Sequence, residues 1–132
     1  MKSKFAIASL LLIGTMTACH SGSKPSVMDN PLLTEFTTPY GVPPFNLIQP
    51  QHYTPAFTLG MEEQMKAVES IINNKEEPTF ENTIVALDQS GELLAKVSRI
   101  FFGLTEANTN DSIQKIQVAI TPVYLHTVML SI

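Results

Sequence analysis

Prolines decide where this chain can be helical. Five of its nine stand at 39, 43, 44, 50 and 55 within the stretch TTPYGVPPFNLIQPQHYTPAF, and Pro31 lies a little upstream. Each fixes φ near about −65°, removes a backbone N–H and drives its predecessor to an extended conformation. Residues 31–50 are therefore predicted to form an extended leader rather than a helix. The same segment carries Leu32, Leu33, Phe36, Tyr40, Phe45, Leu47 and Ile48. A stiff segment with this much apolar area loses little entropy when laid along another surface, so it suits a clamp onto a partner domain better than a free spacer.

From Pro50 onward the apolar period becomes helical. Phe57, Met61, Met65, Val68 and Ile72 recur at steps of four and three and predict a first helix from about Gln51, ended by Asn73 and Asn74. Pro55 is expected within about the opening turn, where a missing N–H is tolerated. A second helix is predicted to start at Thr79 as N-cap, with Asn82 in the capping-box position three residues on. Its face reads Phe80, Ile84, Leu87, Gly91, Leu94, Ser98 and Phe101, widened by Leu93, Val97, Ile100 and Leu104. Gly91, read as mid-helix, costs about 0.8–1 kcal/mol relative to alanine and implies that another helix crosses close by. Asn110 or Asp111 can cap a third helix with Ile113, Ile116, Ile120 and Val123 on its face. The fold class is all-α, with the second and third helices antiparallel. Three helices make a thin core, because small domains bury a small share of their unfolded surface.

Ahead of the leader, Met1 to Ala18 reads as an export signal: Lys2 and Lys4, the apolar run FAIASLLLIG, then MTAC. The run is shorter than the roughly 20 apolar residues that span a bilayer. The single cysteine, Cys19, directly follows the small residues Thr17 and Ala18, the pattern of a bacterial lipoprotein signal, and it has no partner for an internal disulfide. Cys19 is accordingly the predicted lipidation site. The protein is then expected to be exported and membrane-anchored, on the periplasmic or outer-membrane side of a bacterium. Residues 19–30, small and polar, form a flexible tether. Loss of Lys2 and Lys4 with the signal leaves six of the eight basic residues against twelve acidic ones. Without a basic cluster, nucleic acid is excluded as a partner.

No catalytic or metal-binding residue is assigned. His20, His52 and His126 lie far from one another in sequence and have no zinc-ligand spacing, and His52 beside Tyr53 is read as a capping or packing residue. Adjacent helical residues point about 100° apart, so Glu62 and Glu63 cannot share a proton. The pairs Glu62–Glu63 and Glu76–Glu77 are read as solvated faces, with Glu62 spaced to pair with Lys66. Neither a phosphate-cradling glycine loop nor a serine or cysteine nucleophile motif is present.

Two blocks carry a resemblance. NPLLTEFTTPYGVPPFNLIQPQHYTPAF and EEPTFENTIVALDQSGELLAKVSRIFFGLTEANTND are similar to the amino-terminal region of bacterial peptidyl-dipeptidases, the dipeptidyl carboxypeptidase branch of the oligopeptidase A and thimet oligopeptidase family. The likeness runs from about Asn30 to Val123. It implies a large α-helical zinc metallopeptidase with a deep channel for short peptides, one that removes dipeptides from the peptide C-terminus. In that family two histidines of a His-Glu-x-x-His helix and a later glutamate hold zinc, and the motif's own glutamate activates the bound water. The motif is absent from these 132 residues. Residues 51–123 would be the helical N-terminal region of such an enzyme, walling its channel, and the chain alone would be inactive.

Past ITPV the family continues much like LSAHSD, whereas this chain reads YLHTVMLSI. Back-translation connects the two: TAT CTG CAC ACA GTG ATG TTA AGT ATT encodes YLHTVMLSI, and one T placed in front gives codons for LSAHSDVKY. Residues 124–132 are thus expected to be an aberrant, frameshift-encoded tail, with no functional weight on Tyr124, His126 or Met129. The alternative reading is a small lipid-anchored helical module that binds a protein partner.

Overall fold

The structure is a computed structural model that describes residues 29–130. The signal peptide, Cys19, His20 and most of the tether lie outside the described residues. Within them the chain is all-α, and no strand forms. Two short 3-10 turns, Pro31–Leu33 and Pro39–Gly41, interrupt the leader. Four helical pieces follow: α1, Pro50–Ile72; α2, Ala86–Asp88, reached through a π-helical stretch Phe80–Val85; α3, Glu92–Ala107; and α4, Asp111–Leu130.

Local chemistry explains most boundaries. Helix α1 opens on Pro50, and the N–H of Gln49 just before it donates to Nδ1 of His52 in the first turn at 3.0 Å. It ends at Asn73, whose N–H bonds the Glu69 carbonyl. Pro55 sits in the second turn, one turn later than expected, and leaves Gln51 without a helical donor. Thr79 and Asn82 form the predicted capping box, Asn82 N–H to Thr79 Oγ1 at 3.1 Å and Thr79 N–H to Asn82 Oδ1 at 2.8 Å. Of the two candidate caps for α4, Asn110 serves: its Oδ1 accepts from the N–H groups of Ser112 and Ile113.

The predicted second helix is broken. Gly91 adopts left-handed backbone, φ 73°, and is the N-cap of α3, so it carries no mid-helix cost. Phe80 and Ile84 consequently lie off the buried stripe and are 66% and 50% exposed. The expected close crossing is present, one residue pair away. A Cβ on Gly60 of α1 would stand 3.0 Å from both N and Cα of Leu94. At Gly91 a Cβ would collide with Gln64 Oε1, whose amide donates to Ser90 Oγ at 3.1 Å.

Close approach at this point rotates α1 relative to the predicted stripe. Tyr53, Ala56, Phe57, Gly60 and Gln64 face inward, Met61 is partly buried, and Ile72 is 74% exposed. The pairs Tyr53 with Phe101, Gly60 with Leu94 and Gln64 with Ser90 run in opposite order, making α1 and α3 antiparallel. Helix α4 packs on α1 as well and meets α3 through Phe102 and Tyr124. Its inward face is Ile113, Ile120 and Thr127, with Ile116 and Tyr124 against the core, whereas Val123 is 53% exposed. The core completes itself with Leu94, Val97, Phe101, Leu32 and Ile48. Each such side chain contributes about 1.5–3 kcal/mol through burial.

The leader is fastened to the helices over its first residues, and at its far end Ile48 is buried in the core. Asn30 is buried, donating from Nδ2 to the His52 carbonyl at 2.8 Å and accepting from the Leu32 N–H at 3.0 Å. Lys96 of α3 donates to the Thr34 carbonyl and lies 5.0 Å over the Phe36 ring.

Three glycines on these helices should respond differently to alanine. Gly60→Ala meets backbone that cannot step aside, so its overpacking cost of about 1–3 kcal/mol opposes the roughly 1 kcal/mol gained in helix propensity. Gly91→Ala adds a left-handed residue at about 1–2 kcal/mol and disturbs Gln64. Gly103→Ala, whose Cβ meets nothing within 4 Å, should be stabilising by about 0.8–1 kcal/mol. Urea midpoints followed by circular dichroism should therefore fall for the first two variants and rise for the third.

Candidate functional site

Rings converge where α1, α3 and α4 meet. Phe57 stands edge-on to Phe101 at 5.4 Å between centroids and to Tyr124 at 6.0 Å, and Tyr53 is edge-on to Phe101 at 4.9 Å. Edge-to-face pairs place the positive rim of one ring on the negative face of another, which stabilises such a cluster beyond area alone. Tyr124, in the segment expected to be an aberrant tail, is thus packed into the body of the fold, and α4 runs unbroken to Leu130.

Beside this cluster an open, mostly apolar groove of about 710 Å³ runs between the leader and the α3–α4 junction. Pro43, Phe45 and Ile48 form its leader side, and Tyr53, Ile100 and Leu104 are among its helical walls. Tyr53 is 1% exposed, and its hydroxyl is the one buried side-chain polar atom among the described residues with no hydrogen-bond partner. Burial strips water from the phenolate and raises the Tyr53 pKa above 10.0. On another side, a more polar hollow joins Glu63, Asp88 and Glu92 with Lys96 and Arg99.

The sequence-predicted polar residues do not converge. His52 is occupied as a helix cap and His126 lies exposed on α4. Glu62, Glu63, Glu76 and Glu77 are all exposed. Glu62 and Lys66 do not form the ion pair their spacing allowed. At an exposed site the Coulomb gain scarcely exceeds the cost of fixing two long side chains. Among the described residues no group of three or more His, Cys, Asp and Glu side chains comes together to hold a metal ion. No helix among them is long and apolar enough to cross a membrane.

Periodicity missed the groove because its walls come from segments distant in sequence. Tyr53 also fell outside the predicted apolar stripe. Its place beside His52, in the block that carries the family resemblance, was the available signal. Tyr40 was legible only as an apolar leader residue, yet it has φ 62° and a fully exposed ring.

Comparison with known proteins gives this scaffold a context. The chain is 46% identical over 87 residues to the dipeptidyl carboxypeptidase of Escherichia coli, covering 66% of this chain and 13% of that protein. It is 43% identical over 90 residues to the dipeptidyl carboxypeptidase of Salmonella typhimurium, covering 68% and 13%. Oligopeptidase A of Salmonella typhimurium is 33% identical over 82 residues, covering 62% and 11%. The chain matches no protein-family model. By class, what this helical scaffold resembles is a small part of a peptidase. More narrowly, the chain matches a fragment of the dipeptidyl carboxypeptidase and oligopeptidase A family, spanning 13% of the length of the two dipeptidyl carboxypeptidases.

Tyr53→Phe removes a buried hydroxyl that has no acceptor, and should stabilise the chain by about 1 kcal/mol. For roughly 100 residues this raises the thermal midpoint by several degrees. The pH dependence has a fixed sign. A folded-state pKa above 10.0 leaves stability intact below pH 10 and removes it as the pH rises through the folded value. The wild-type chain should therefore lose more stability above pH 10 than the Tyr53→Phe variant, as read from denaturation midpoints across that range.

Proposed function

We propose that this chain is the N-terminal part of a zinc-dependent peptidyl-dipeptidase that releases dipeptides from the C-terminus of short peptides. The observation that carries this reading is the 46% identity over 87 residues to a dipeptidyl carboxypeptidase. On this reading the leader and helices α1 to α4 belong to the wall that limits access to a distant metal. Two signals in the sequence, the leading apolar run and Cys19, support an exported enzyme held at a membrane by acyl chains.

The residues present do not fit a zinc ion. His52 Nδ1 already accepts from the Gln49 N–H, His126 lies on an exposed surface, and no third donor joins either among the described residues. On this reading no catalytic step falls to the described residues, and the chain alone would be inactive. On this reading the zinc motif belongs to a part of the enzyme other than these 132 residues.

Two measurements test this. Nucleotide sequence beyond the Val123 codon should continue the family in a shifted frame and encode a His-Glu-x-x-His helix. A stop followed by unrelated genes in every frame would favour a small lipid-anchored interaction module instead. The purified chain should bind no stoichiometric zinc by atomic absorption and release no dipeptide from blocked peptide substrates. Zinc-dependent release of dipeptides by the chain alone would refute its proposed inactivity.

A further inference from the structure

Helix α4 has two faces, and the described residues cover only one. Ile113, Ile120 and Thr127 are buried on the inner face, while Val118, Pro122, Leu125 and Met129 lie on the opposite pole at steps of four, three and four. Such spacing keeps side chains in one seam along a helix, the pattern of helices that pack in pairs. Val118 is 77% exposed, Leu125 51% and Met129 75%. From Ile116 to Ile132 the sequence holds no Asp, Glu, Lys or Arg. The outer pole of α4 is therefore apolar and uncharged over its C-terminal turns.

Charge selects what such a seam meets. The chain as a whole carries a net charge of −4, so copies repel one another except through a face without charge. A helix that lies on a lipid surface carries Lys and Arg along its polar side. Lys115 is the single Lys or Arg of α4, whose inner side is spent on the core.

Charge also sets the direction. Asp111 and Lys115 continue the seam towards the start of the helix, and both are exposed. Parallel pairing would set each against its own counterpart, like charge to like. Antiparallel pairing centred between Pro122 and Leu125 overlays uncharged turns alone, with Val118 of one copy opposite Met129 of the other.

We propose that this chain forms an antiparallel dimer through the outer pole of α4. Each copy supplies Val118, Pro122, Leu125 and Met129 to a self-complementary contact about a two-fold axis. The partner is a second copy, and the inference stands apart from the peptidase function proposed above. A standard interface takes about 20–30 residues a side, and the turns from Ile116 to Leu130 supply fewer. The dimer is accordingly reversible, with a dissociation constant on the order of 100 µM.

The full chain should pass from monomer to dimer in sedimentation velocity as its concentration rises from about 5 to about 500 µM. Leu125→Glu and Met129→Glu should each weaken association by about tenfold or more, because each buries a charge in the seam. Circular dichroism should show helicity unchanged, since both side chains stand largely in solvent in the monomer. Phe45→Glu, at a comparably exposed apolar residue of the leader, should leave association as it is. In a Cys19→Ser background, chains bearing Val118→Cys and chains bearing Met129→Cys should oxidise to the mixed disulfide faster than either pairs with itself. A chain that stays monomeric at about 500 µM, or a dimer indifferent to both glutamate variants, overturns the proposal. Loss of the dimer on Phe45→Glu alone overturns it in favour of the leader as the interface. Faster self-pairing of Val118→Cys overturns the antiparallel arrangement. Binding to phosphatidylcholine vesicles that Met129→Glu removes, without a dimer, overturns it in favour of a lipid surface.

Discussion

The structure depends on how near α3 can come to α1. Glycine at position 60 lets the Leu94 backbone approach to a distance at which any Cβ would already be in tight contact. That approach brings Phe57 and Phe101 edge to face and turns Tyr53 inward. Helix α4 then closes on the exposed flank of the pair, adding Ile113, Ile120 and Tyr124. Directional ring contacts and apolar burial hold the arrangement, and the described residues show no ion pair. A small core of this kind is sensitive to single methyl groups, because close-packed interiors have few voids to absorb them.

Features that depend on neighbours in sequence were legible. Thr79 with Asn82, Asn110, and the termination at Asn73 are decided within four residues by side chains that satisfy exposed backbone groups. The all-α class followed from the same local period, and the buried face of α3 was read correctly through Leu94, Val97, Ser98 and Phe101. What escaped is long-range. Periodicity alone treats Gly91 as a weak helical residue, since nothing local discloses that its neighbours need a left-handed turn. Likewise the inward role of Gly60 and Gln64 exists only because Leu94 and Ser90 lie opposite. Phe80, Ile84 and Ile72 fit the period yet remain exposed, because none of the described residues covers them.

The prospective site was less legible than the fold. The scattered histidines and acids were read as structural or solvated, and the structure gives His52 a capping role and leaves the Glu62–Glu63 and Glu76–Glu77 pairs exposed. The groove, however, is assembled from the leader, α1, α3 and the start of α4, so no window of sequence contains it. An unpartnered hydroxyl is a property of surroundings rather than of residue type. Tyr53 could be named from the sequence, but its isolation could not.

The fastening of the leader has a consequence for divergence. Asn30 and Leu32 at one end and Ile48 at the other are buried, whereas Tyr40, Val42, Phe45 and Leu47 between them stand largely in solvent. Once both ends of such a loop are pinned, doubling its length costs only about 0.6 kcal/mol in closure entropy. A longer connection in the stretch from Thr37 to Leu47 should therefore cost the fold little, even though this stretch lies inside a block that carries the family resemblance. The buried residues on either side, by contrast, would forfeit packing on any change, so the arch is a permissive span resting on two exacting piers.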